Sequence, residues 1–131
     1  MVFDDYTGMK KAIRFEEMNR IHEELLSEVE SVPGADDIYK RYLSKALRYA
    51  GIRSGWSLLS KEEKMDQDPG RTAAHDSVIT HTNMLSRFLK QNRKDAAWRD
   101  ALGYTEDDPY NRKRIGDFAV YVAFVEGLLN R

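Results

Sequence analysis

Cysteine is absent from the 131-residue sequence, which removes disulfide staples, thiolate metal sites and cysteine nucleophiles from consideration. A reducing compartment becomes the default expectation. Proline occurs only three times, too rarely for a loop-dominated chain. No run approaches the roughly 20 apolar residues that cross a bilayer, and the longest, Phe118 to Val125, is closed off by Asp117 and Glu126. The opening Met1-Val2-Phe3-Asp4-Asp5-Tyr6 carries acids where a secretory signal needs a basic flank. A cytoplasmic protein with no membrane partner is the expectation. Net charge is also lacking, at −1, which makes nucleic acid an unlikely partner by charge alone. Arg87, Lys90, Arg93, Lys94 and Arg99 cluster, as do Arg112, Lys113 and Arg114, but Asp95, Asp100, Glu106, Asp107 and Asp108 are interleaved with them. That mixture is the pattern of solvated helix faces.

What is present is an ordered, helical composition. Seven Tyr, five Phe and two Trp are aromatics that disordered chains lack. A charged fraction of 33% with abundant Ala, Leu, Glu, Lys and Arg favours helices with well-hydrated outer faces. No segment alternates with period two, so no sheet is expected. The fold predicted is all-α, a single domain over 1–131 with residues 1–8 outside its ordered part. It is an up-and-down bundle of four longer helices and one short one.

The first helix is predicted from about Met9 to Ser31, with Met18, Ile21, Leu25 and Val29 on one face and Pro33-Gly34 ending it. Asp36 or Asp37 is placed as the cap of the second, which continues to at least Leu59 with Tyr39, Tyr42, Leu43, Ala46, Tyr49 and Ala50 as its stripe. Asp66-Gln67-Asp68-Pro69-Gly70 reads as a loop. A third helix then runs from about Arg71 to Gln91, with Ala74, Val78, Leu85 and Phe88 inward. A short helix from about Asp95 to Leu102 stops at Gly103. The last, from about Pro109 to Leu129, is apolar nearly all round, the mark of a central helix.

Few residues offer chemistry. His75-Asp76 resembles the doublet of metal-dependent phosphohydrolases, and His22 upstream with Asp117 downstream could be threaded onto that order. The plainer reading makes His75 a first-turn residue and Asp76 an exposed acid near the positive end of the helix dipole, with no metal ligand among them. Arg71 and His75 share one face of the same helix start. The pair resembles the Arg and His of small helical ribonucleases from toxin systems, at a shorter spacing. An arginine that stabilises phosphate and a histidine that moves a proton would suit phosphodiester cleavage. His81, Arg53 and Glu126 fall on or beside apolar stripes and are expected to be buried with partners, since an unpaired buried charge is costly. No phosphate-binding glycine loop, zinc-protease motif or nucleophile elbow occurs, and no cofactor is implied.

The segments Arg71-Thr72-Ala73-Ala74-His75-Asp76-Ser77-Val78-Ile79 and Arg114-Ile115-Gly116-Asp117-Phe118-Ala119 resemble a family of small, uncharacterised bacterial and phage helical proteins. The resemblance covers roughly the last two-thirds of the chain; it implies an all-helical fold and no known activity.

Small residues form a further pattern. Gly116, Ala119, Ala123 and Gly127 share one side of the last helix, and Gly51 and Gly55 lie off the tyrosine stripe of the second. Such a groove admits a close helix neighbour, expected within the chain more than across a dimer. The leading functional expectation is therefore a non-enzymatic helical protein that binds a protein partner or a second copy of itself. The alternative is a phosphodiester-cleaving enzyme using His75 with Arg71, or His75-Asp76 with a metal.

Overall fold

A computed structural model describes residues 12–103 and 109–128. Five helices pack together and, among the described residues, there is no strand. Helix α1 spans Phe15–Ser31, α2 Ala35–Gly55, α3 Lys61–Gln91, α4 Ala97–Asp100 and α5 Pro109–Ala123. A 3₁₀ turn, Trp56–Leu58, follows α2, and a π turn, Phe124–Leu128, continues α5. No helix among the described residues is long and apolar enough to cross a membrane.

The stripes read from the sequence form the core. Met18, Ile21, Leu25 and Val29 of α1 are buried, as are Tyr39, Tyr42, Ala46 and Tyr49 of α2 and Ala74, Val78 and Leu85 of α3. Every residue of α5 from Ile115 to Ala123 is buried, because α1, α2 and α3 all pack against it. Burying a side chain the size of Leu25 or Phe118 stabilises the fold by roughly 1.5–3 kcal/mol. The all-round apolar character of α5 follows from its central place.

The short helix is trimmed at both ends, to Ala97–Asp100, and the last passes into the π turn after Ala123; four other boundaries differ from the sequence-based expectation for a plain physical reason. Helix α1 begins at Phe15, since Arg14 is extended (φ −72°, ψ 149°) and the Ala12 amide is held by the Asp117 carboxylate at 2.7 Å. Gly34, at φ 87°, is the N-cap of α2, so Asp36 and Asp37 lie within its first turn and do not cap it. Helix α2 closes at Gly55 and tightens into the 3₁₀ turn before Leu59.

The largest correction is α3. The stretch Asp66–Gly70 is no loop but the second and third turns of a 31-residue helix. Ser60 and Glu63 form a reciprocal capping box that starts the helix ten residues before Arg71. Pro69 cannot donate to the Met65 carbonyl, but residues 65–70 are all exposed, so water can solvate that oxygen. His75 and Asp76 consequently sit mid-helix, away from any helix start.

Between α3 and α4 the chain reverses through two left-handed non-glycine residues, Arg93 at φ 68° and Ala96 at φ 50°. Glu28 of α1 fixes this connection: its carboxylate accepts from the Ala96 amide at 3.1 Å and from Trp98 Nε1 at 2.8 Å. Trp98 is thereby seated in the core at 1% exposure.

Candidate functional site

Helices α2, α3 and α5 meet around a cavity of about 410 Å³ lined by Tyr49 and Arg53 of α2, Arg71, Thr72 and His75 of α3, and Arg112 and Lys113 of α5. Its floor is a stacked pair, the Tyr49 and His75 rings lying 5.1 Å apart at 13°. Gly116 makes that floor possible. A Cβ there would lie 2.9 Å from His75 Nε2 and 3.1 Å from Tyr49 Oη, closer than those neighbours can tolerate without moving.

His75 is oriented by backbone. Its Nε2 lies 2.9 Å from the Arg112 carbonyl, which can only accept, so Nε2 carries the hydrogen and Nδ1 keeps its lone pair in the neutral ring. Burial lowers the His75 pKa; the Arg112 and Arg53 guanidiniums lower it further, against the raising effects of the Arg112 carbonyl and the Asp76 charge. The ring is thus a neutral acceptor near neutral pH.

Cations surround this pair. The Arg53 guanidinium donates to Tyr49 Oη at 2.5 Å and lies 5.5 Å from the ring centroid. Because Tyr49 Oη accepts that bond, its own proton is left to donate elsewhere. Burial raises the Tyr49 pKa and outweighs the lowering effect of Arg53, so the phenol stays protonated. Arg71 stacks on Trp56, 4.4 Å from its centroid, and bonds Asp68 at 3.0 Å. Arg112 pairs with Asp76 at 2.5 Å, and Lys113 with the buried Asp117 at 3.2 Å. Arg53 has no carboxylate within ion-pair distance among the described residues.

The sequence-predicted residues divide. Arg71 and His75 do face one cavity, and Arg53 joins them. Asp76 points instead at Arg112 on the rim. Arg53, His81 and Glu126 do not form one buried network: all three are half-buried and lie apart. His81 Nδ1 donates to the Ser77 carbonyl of its own helix at 2.8 Å. Glu126 lies 3.6 Å from His22 Nε2 and takes a hydrogen bond from Tyr39.

The threading of His22, His75-Asp76 and Asp117 onto a metal site fails on geometry. His22 turns to Tyr39 at 3.1 Å, and Asp117 is spent on the Ala12 amide and Lys113. Among the described residues no group of three or more His, Asp or Glu could hold a metal ion.

The small-residue groove also divides. Gly116 is filled by Tyr49 and His75, and a Cβ at Gly127 would meet Leu47 Cδ2 at 2.6 Å; Ala123 is buried as well. Gly51 and Gly55 face open space and belong to no groove. Sequence reasoning missed Tyr49, Thr72, Arg112 and Lys113 as site residues. The run Arg112-Lys113-Arg114 was visible, but nothing in it says that Arg112 reaches across to Asp76 of α3 or that Lys113 lines the same cavity. No family model, curated protein or solved structure matches this chain.

Proposed function

We propose that the chain is a small helical binding protein whose pocket between α2, α3 and α5 takes a phosphate-bearing anion. The observation that carries this reading is the convergence of Arg53, Arg71, Arg112 and Lys113 on one cavity floored by Tyr49 and His75. Guanidinium forks match phosphate oxygens in shape and charge, and the Tyr49 hydroxyl adds a neutral donor. A volume of about 410 Å³ suits a small ligand or one unit of a longer one. A protein partner or second copy is the less supported reading, because Tyr49, His75 and Leu47 of the same chain already occupy the last helix's groove.

The test is calorimetric titration with p-nitrophenyl and bis(p-nitrophenyl) phosphate at low salt. Arg53→Gln should weaken binding by about tenfold or more, the loss typical of a hydrogen bond to a charged group. Unchanged affinity in a folded Arg53→Gln protein would remove the pocket from consideration.

One observation favours a second reading, phosphodiester cleavage. Neutral His75, with Nε2–H fixed on the Arg112 carbonyl, is arranged as a proton acceptor through Nδ1. Release of p-nitrophenol from the diester in the presence of chelator, lost in His75→Gln, would support cleavage. Binding without release would leave a binding protein.

A further inference from the structure

Resting on the anion-binding reading above, we infer that the ligand is a nucleoside phosphate whose base stacks on the Arg71–Trp56 pair at the cavity wall. Phosphate alone would leave much of this pocket unused, beginning with its flat surface. The Arg71 guanidinium lies 4.4 Å from the Trp56 centroid, and its edge is held by Asp68 at 3.0 Å. Indole thus covers one face, and the carboxylate fixes the plane. The side chain is still 36% exposed and lines the cavity, so its open surface lies on the side turned away from Trp56. Phosphate oxygens bind guanidinium edges. A guanidinium face is instead a stacking surface for a base.

A hydrogen-bond acceptor is also left over. With Nε2–H on the Arg112 carbonyl, the neutral His75 ring keeps a lone pair on Nδ1. No hydrogen bond reaches Nδ1 among the described residues. Tyr42 Oη is the one fully buried side-chain polar atom there that lacks a partner, so Nδ1 is open to the solvent of the cavity. A fully ionised phosphate has no hydrogen to give this atom, whereas a ribose hydroxyl or an exocyclic base amine does. Room is the remaining feature. About 410 Å³ exceeds what one phosphate group fills and falls in the range of whole small ligands, roughly 300–1,000 Å³. Flat face, acceptor and volume together describe a sugar and a base attached to the phosphate.

The experiment is calorimetric titration with adenosine monophosphate and ribose phosphate at low salt. The two share the phosphate, its position on the sugar and the charge, and differ by the base. Wild type should bind the nucleotide about tenfold more tightly, a gain typical of one stacked base. Arg71→Lys keeps the cation but removes the planar face, so this ratio should fall toward one. Trp56→Leu removes the indole that backs the guanidinium and should lower the ratio in the same direction. Both ligands feel a change of charge alike, so the ratio isolates the base; thermal melts establish that each variant is folded. A short oligoadenylate separates the two sources of such a unit. Tighter binding than the mononucleotide assigns it to a strand, and binding no tighter assigns it to a free nucleotide. Equal binding of nucleotide and ribose phosphate by wild type, or an unchanged ratio in folded Arg71→Lys, overturns the stacking while leaving anion binding in place. Binding of neither by wild type overturns both.

Discussion

His22 sits at 4% exposure against the edges of Phe118 and Tyr121, with Nε2 turned to the Tyr39 hydroxyl and the Glu126 carboxylate. Burial lowers its pKa from the ordinary 6.5 to about 4, so the unfolded chain binds this proton more readily than the folded one. Stability from this group is therefore complete above pH 6.5, falls as pH drops toward 4, and levels off below. The full difference is roughly 3 kcal/mol, with a further loss of the same sign from His75. Urea denaturation between about pH 7 and pH 4 checks it: His22→Gln should lose less stability across that window than wild type, and parallel slopes would contradict the assignment. A second single-residue test lies at Arg93, exposed and left-handed at φ 68°. Arg93→Gly should stabilise by up to about 1 kcal/mol, since only glycine adopts that conformation without strain. The legible part of the site was its charge. Arg53 on the inner side of α2, and Arg71 one turn before His75, follow from helical period alone. Tyr49 read as one more member of an apolar stripe, because period places a ring inward but does not say whether its hydroxyl meets a core or a cavity.

Among the elements, α3 decides where the site is. Had the chain broken at Asp66–Gly70, His75 would lie in a first turn facing solvent. Continuous helix instead places it fifteenth of 31 residues, level with Tyr49 and Gly116. The misleading signal was Pro69-Gly70, normally strong punctuation. The signal that outweighs it is the capping box Ser60-x-x-Glu63, assisted by the Asp68–Arg71 pair and the Arg71–Trp56 stack that tie the proline turn to its surroundings. Pro69→Ala restores the missing donor to Met65 and removes a helix-interior proline, so it should stabilise by about 1–3 kcal/mol. Ser60→Ala should cost about 1 kcal/mol through loss of the cap. Thermal melts read both, and a Pro69→Ala protein no more stable than wild type would mean this turn is not helical in solution.

For the whole molecule, the glycines separate packing from permissiveness. The all-α class and most of the core were legible because hydrophobic period survives any arrangement of helices. Which small residues touch a neighbour was not, because it depends on how helices rotate against one another. Gly51 and Gly116 show the difference. Both lie inside helices, so each forgoes about 1 kcal/mol of helix propensity relative to alanine. A methyl at Gly51 would meet nothing within 4 Å, whereas one at Gly116 would press on His75 Nε2 at 2.9 Å and Tyr49 Oη at 3.1 Å. Those two atoms belong to buried or half-buried rings stacked on each other and tied to Arg53 and the Arg112 carbonyl, so neither can swing aside alone. Gly51→Ala should then raise stability by about 1 kcal/mol. Gly116→Ala should lower it by about 1–3 kcal/mol through overpacking, and should also weaken phosphate-ester binding, because relief requires the floor of the cavity to move. Paired urea titrations of the two variants, with diester binding measured on each, check both signs. Equal stabilisation by the two substitutions would mean that α5 does not approach α2 and α3 this closely, and the cavity between them would lose its geometry.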